Sequence, residues 1–435
     1  MIYDTCIQNG MVFVDDAFVK TNLYILDGKI ALISKAVLTS VLTINAINQY
    51  VIPGIIDPHV HFNLDLGKTH SKDDFYNGSI CASFGGVTTF IDFLDPVDNP
   101  IDLEKAYLKR LEEAKLSVID YKFHATIKNP TCDLEEFVQK MLSLGITSLK
   151  LFTTYSNSGR RTFDAQIIEL IKLSEKYRFT LLAHIENDEL IDLNSAFTFC
   201  DLSKSRPTIS ETKEALKLAS FVRKYGGTLY MVHLSSGDTL ERLTLDFPDI
   251  LHQNFFVESC PHYFLFSDEV LQRKDGYLYT LAPPLRSFLE KEKLKSLYSH
   301  IDTIGTDHCS FFTSEKKQEF LNQLPLGIGG IEHSFEVMHS LFQTDSIIKL
   351  TKNVATIHNL KTKGTIEVGK DADLCIFEKM DGFIHEDHST SDYCVYIGIK
   401  KDLNIVSTIS RGKFIVKDKV FVGGFGTFLK GSDIS

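Results

Sequence analysis

Val51-Ile52-Pro53-Gly54-Ile55-Ile56-Asp57-Pro58-His59-Val60-His61-Phe62 is an apolar, β-type run that ends in two histidines one residue apart. On an extended backbone alternate side chains share a face, so His59 and His61 present two imidazoles to one point in space. Two ligands do not make a metal site. The weight of the pair depends on whether further donors stand at the ends of other strands.

Outward from this stretch, β-branched or aromatic runs alternate with helical patterns, the signature of a parallel sheet with crossover helices. Eight such runs lie near Val51–Phe62, Val87–Phe93, Tyr121–Ile127, Ser148–Tyr155, Thr180–Glu186, Thr228–Ser235, Phe255–Tyr263 and Thr303–Ser310. Leu103–Leu116, Leu134–Leu144, Ala165–Tyr177 and Glu211–Tyr225 carry apolar residues at three- and four-residue spacing. Eight such units predict an α/β fold, a (β/α)8 barrel of the TIM type over residues 53–360.

The two ends read differently. Asn9-Gly10 and Asp27-Gly28 lie between short β-type runs and signal hairpins. The same texture returns in Gly364–Phe377 and Val406–Val416. Residues 1–52 and 361–435 are expected to build one small β-sandwich domain together.

A chain of 435 residues with a hydrophobic share of 43% suits a large barrel with a smaller companion. A formal charge of −11, with no basic run, argues against a nucleic-acid partner. No apolar stretch reaches spanning length without charges, and Met1-Ile2-Tyr3-Asp4 has no basic n-region. A cytoplasmic protein with no membrane partner is expected. The eight cysteines are scattered, with no Cys-x-x-Cys pair, and read as reduced thiols.

In such a barrel the active site gathers side chains from the C-terminal ends of several strands. The first run ends in His59 and His61, the fourth holds Lys150, the fifth ends in His184, the sixth in His233 and the eighth in Asp307. A single histidine would read as a hydrogen-bonded core or rim residue. Four at the ends of three strands do not.

Lys150 needs chemical help, because an ammonium has no lone pair to offer a metal. It alternates with apolar residues in Ser148-Leu149-Lys150-Leu151-Phe152, so burial should lower its pKa. A neutral lysine adds carbon dioxide, and the resulting carbamate is an anionic ligand able to bridge two divalent cations. Two such cations share a hydroxide and ready it for attack at neutral pH. Asp307 would ligate one metal and carry the proton to a departing amide nitrogen; its competing reading is a helix N-cap. Tyr155 would aim its phenol at an oxyanion, or is simply a loop aromatic. Cys309 reads as a buried small residue rather than a thiolate ligand.

These residues resemble the amidohydrolase superfamily, within it the hydantoinases and dihydropyrimidinases, along nearly the whole chain. The segments that carry the likeness are Asp57–Phe62, Ser71–Gly78, Gly85–Phe93, Ala183–Asn187, Val232–Ser236 and Gly305–Cys309. The resemblance implies that His59, His61 and Asp307 hold one zinc ion and His184 and His233 the other. Carboxylated Lys150 would bridge them, and Tyr155 would bind the oxyanion. It also implies hydrolytic opening of a small cyclic amide, a dihydropyrimidine or 5-substituted hydantoin, to an N-carbamoyl amino acid. A homotetramer or dimer is implied too, with Gly423–Phe428 contributing contacts.

Departures from the pattern bear on the substrate. Asn63 stands where dihydroorotases carry an arginine for a carboxylate, which disfavours dihydroorotate. Ala282, before Pro283-Pro284-Leu285-Arg286, replaces a serine whose contact is usually made by the backbone. Leu326 stands at the substrate-contacting asparagine. Tyr155, Asn63, Ala282 and Leu326 are thus the expected substrate contacts. Cys260-Pro261-His262-Tyr263 looks closer to allantoinases and dihydroorotases, which keeps allantoin as runner-up. A non-catalytic scaffold of the same fold would have lost metal ligands, and here none is missing.

Overall fold

The computed structural model describes residues 2–431. Its centre is an eight-stranded parallel sheet in sequential order: β1 Ile55–Val60, β2 Val87–Phe93, β3 Asp120–Thr126, β4 Ser148–Phe152, β5 Thr180–His184, β6 Leu229–Met231, β7 Phe255–Ser259 and β8 Thr303–Ile304. Every residue of β1, β2 and β3 is buried, as expected of strands covered on both faces. The edges meet where Val60 pairs in parallel with His308 and the His61 N–H donates to the His308 carbonyl at 2.8 Å. This contact turns the sheet into a nearly closed barrel.

Crossover helices start where the sequence supplies caps. Asn99 accepts from the Asp102 N–H ahead of the helix Pro100–Glu113, which has proline at its first position, and Asp133 caps Leu134–Ser143 in the same way. The helical pattern Leu103–Leu116 ends in a 3-10 turn at Ala114–Leu116, and Glu211–Tyr225 begins earlier, in the helix Thr208–Tyr225.

Two strands are less than half as long as their sequence runs. Thr228–Ser235 contributes only Leu229–Met231, and Thr303–Ser310 only Thr303–Ile304. The reason is visible in the backbone: His233 has φ 42° and Asp307 φ 51°, so the chain leaves the extended region just where these side chains must turn.

The chain ends form two further sheets. Four strands from the N-terminal end, Tyr3–Gln8, Asn22–Leu26, Lys29–Ser34 and Ser40–Asn45, make one. The other has seven strands and mixes both ends, with Tyr50–Pro53 paired antiparallel to Leu374–Phe383. Ile7, Leu23 and Ile25 of the first sheet share a buried core with Val51, Leu374 and Ile409 of the second. The closing segment then returns to the barrel: Phe428 pairs with Tyr121, and the Leu429 N–H donates to the Tyr121 carbonyl at 2.7 Å. Its Gly426 approaches the Ile119 carbonyl too closely for any Cβ. Residues of the Gly423–Phe428 stretch are thus engaged with their own chain. Among the described residues no helix is long and apolar enough to cross a membrane.

Candidate active site

At the C-terminal mouth of the barrel, the Nε2 atoms of His59 and His61 stand 3.2 Å apart, each 3.1 Å from Asp307 Oδ1. Across the mouth, His184 Nδ1 is 3.0 Å from His233 Nε2. Donor atoms of His59, His233 and Asp307 lie within 4.8 Å of one another, so β1 and the segments after β6 and β8 aim at one point.

The outer ring nitrogens explain the aim. His59 Nδ1 is 2.8 Å from Glu258 Oε1, and His184 Nε2 is 2.7 Å from Glu186 Oε2. An imidazole that donates outward to a carboxylate presents its other nitrogen, bare, inward. Arg206 in turn holds Glu186, from Nε at 3.1 Å and from its terminal nitrogen at 2.6 Å. Asp57 accepts from the His59 N–H at 3.0 Å, the Thr306 N–H at 3.1 Å and the Thr306 hydroxyl at 2.6 Å, and so ties β1 to the loop carrying Asp307.

The electrostatics follow from burial and these pairs. Burial alone would lower His59, but Glu258 and Asp307 outweigh it and lift it to about 9. Burial pushes His61 down to about 4, and holds His184 below and His233 well below the usual imidazole range. Burial would raise Asp307, yet the neighbouring His59 and His61 keep it well below the usual carboxylate range. Lys150 is lowered to about 8 by burial, against the pull of Asp307 and Glu258, so a neutral-amine fraction exists near neutral pH. Its Nζ lies 5.1 Å from the Phe93 ring centroid and 5.6 Å from that of Phe152. Buried imidazoles, a carboxylate and an amine able to become a carbamate are a donor set that suits a borderline divalent metal such as zinc.

One cavity of about 130 Å³ is bordered by all six candidate ligands, His59, His61, Lys150, His184, His233 and Asp307, and by Tyr155, Ala282 and Leu326. Tyr155 sits at φ 69°, a left-handed conformation that turns its ring 5.0 Å from that of His184. Burial pushes its phenol up to about 12, so it stays a donor at neutral pH. Cys309 borders the cavity, but its sulfur is not among the converging donors and burial raises its thiol. Asn63 is not in the lining: its N–H donates to the Asp73 carbonyl at 2.8 Å and its own carbonyl faces Arg110. His262 is buried and likewise does not border the cavity.

Glu186, Arg206 and Glu258 went unnoticed in the sequence. A signal existed for two of them: Glu186 follows His184 by two residues, and Glu258 is a charge within an apolar run.

A barrel whose strand ends collect imidazoles and a carboxylate around a cavity is the architecture of a metal-dependent hydrolase. Residues 50–415 match the family described as Amidohydrolase family, and the chain belongs to that family. It is 32% identical to a D-hydantoinase of Geobacillus stearothermophilus, over 98% of this chain and 96% of that one. It is 31% identical to a D-phenylhydantoinase of Escherichia coli O81 (strain ED1a), over 98% and 97%. The crystal structure of dihydropyrimidinase from Brevibacillus agri NCHU1002 superposes with a TM-score of 0.93 at 26% identity, covering 98% of both chains.

Proposed function

We propose that this protein hydrolyses the amide bond of a dihydropyrimidine or a 5-substituted hydantoin, releasing an N-carbamoyl amino acid. The observation that carries this reading is that all six candidate ligands border one small cavity, with donor atoms of His59, His233 and Asp307 within 4.8 Å of one another. The relatives' names, hydantoinase and dihydropyrimidinase, supply the ring class.

In this reading His59, His61 and Asp307 would hold one zinc ion and His184 and His233 a second, with Lys150, once carboxylated, as a shared ligand. When bound, such a pair lowers the pKa of water and polarises a carbonyl. The chain's own residues do the rest. Asp307 takes the proton from the attacking water and returns it to the amide nitrogen as the C–N bond breaks, so water's hydroxyl ends on the carbonyl carbon. The Tyr155 phenol donates a hydrogen bond to the carbonyl oxygen as it gains charge. Ala282 and Leu326 pack against the ring, and the apolar wall keeps bulk water out. Residues 53–360 carry this chemistry, while the sheets formed from 1–52 and 361–435 make a separate supporting domain.

Turnover of dihydrouracil, 5-phenylhydantoin and allantoin by the zinc-loaded chain, with metal content measured alongside, tests the reading. Opening of either of the first two is the expected result. Failure on both overturns it, and opening of allantoin alone moves the assignment to that ring.

A further inference from the structure

The cavity has one charged wall group that the ring-opening chemistry does not use. Arg160 borders it, in a lining that also includes the apolar side chains of Leu64, Leu66, Pro96 and Phe152. Its place is built by the backbone. Tyr155 at φ 69° and Gly159 at φ 68° flank the short turn Ser156–Ser158 and fold the chain back on itself. The Arg160 N–H donates to the Tyr155 carbonyl at 3.1 Å, and the neck of the loop is tied by Thr162 N–H to the Phe152 carbonyl at 2.8 Å. Arg160 therefore stands on a closed, anchored loop at the same mouth as Tyr155.

Its neighbours are already matched. Arg161 pairs with Asp188 at 3.3 Å, and Arg206 with Glu186 at 2.6 Å. Arg160 is half-buried, yet among the described residues no carboxylate lies within ion-pairing distance of it. A guanidinium stays charged at any working pH and offers a planar fork that matches a carboxylate. Holding one partly out of water at the cavity, with no protein anion to answer it, is unfavourable unless a ligand supplies the anion.

We infer that Arg160 is a specificity-determining residue that selects rings whose substituent ends in a carboxylate. This deepens the ring-opening reading and rests on it. The lack of an arginine at position 63 would speak against an anionic substrate only if that position faced the cavity, and Asn63 does not border it. The carboxylate is met instead by Arg160, which does border the cavity.

The test compares two isosteres on the zinc-loaded full chain: 5-(2-carboxyethyl)hydantoin and its carboxamide, 5-(2-carbamoylethyl)hydantoin. The acid is expected to show a kcat/KM about tenfold to a hundredfold above the amide, carried by KM. Added salt should shrink that ratio. Arg160→Gln should bring it near unity, and Arg160→Lys should keep part of it. A ratio near unity in the unaltered protein, or one that Arg160→Gln leaves unchanged, overturns the inference while the ring-opening reading stands. If neither isostere, nor dihydrouracil, nor 5-phenylhydantoin is opened, the ring-opening reading is what fails. Calorimetric affinities of the same two compounds then decide the carboxylate preference, and equal affinities refute it.

Discussion

Glu258 holds His59 in place: its Oε1 lies 2.8 Å from His59 Nδ1 and, with the same oxygen, accepts from the His233 backbone N–H at 2.9 Å. Its Oε2 takes the Tyr230 hydroxyl at 2.8 Å. One buried carboxylate thus fixes the tautomer of a candidate ligand from β1 and the position of another after β6. Removing it should not remove a ligand, only its aim. Glu258→Ala is expected to weaken zinc binding by about 10- to 100-fold, read by chelator competition. An unchanged affinity would show that the rings are held by packing alone.

Lys150 is the one candidate ligand whose chemistry must be made. Burial lowers it to about 8, which supplies the neutral amine that reacts with carbon dioxide. Lys150→Ala should lose most bound metal and most activity. Lys150→Arg keeps a cation at the position but stays protonated, so it should fail in the same way. Full metal content and turnover in either variant would sink the bridging role.

Tyr155 gives a different split. Its phenol is pushed up to about 12 and its ring lies under the Arg206 guanidinium, 4.9 Å from the centroid. Tyr155→Phe should retain bound zinc while kcat falls by about 10²- to 10³-fold, the cost of losing one oxyanion donor. A rise in KM or a loss of metal with little change in kcat would assign Tyr155 to packing.

Barrel and ligands were legible in the sequence for a physical reason. Buried parallel strands are rich in β-branched and aromatic residues, so Val87–Phe93 stands out, and an imidazole side chain ending such a run, like His184, has little other reason to be there. What sequence patterning misses is long-range pairing. Nothing local announces that Glu258 meets His59 or that Arg206 meets Glu186, because those partners are brought together only by barrel closure. The early ends of β6 and β8 were missed for a related reason: apolar residues continue past Met231, but the chain turns left-handed at His233 just beyond the ladder. Asn63 shows the converse limit, since two residues beyond His61 the chain has already turned away, with φ 48°.

Asp92 offers a test of how the barrel tolerates buried charge. It is the penultimate residue of β2 and fully buried, with the Phe62 N–H donating to its Oδ2 at 2.8 Å and no partner at Oδ1. Burial raises its carboxyl to about 7, and Arg110 only partly offsets this. The unfolded chain has an ordinary aspartate near about 3.9. Between those two values the folded state keeps the proton and the unfolded state loses it, so stability falls as pH rises through the window. The slope is at most about 1.4 kcal/mol per pH unit, and the effect levels off above the folded value. Asp92→Asn keeps an acceptor for Phe62 without the charge. Its stability relative to the unaltered protein should therefore climb from about pH 5 to about pH 7 and then flatten, as read from denaturant midpoints across that range. A difference that does not vary with pH would mean that Asp92 is ionised in the folded barrel throughout, with Arg110 answering its charge.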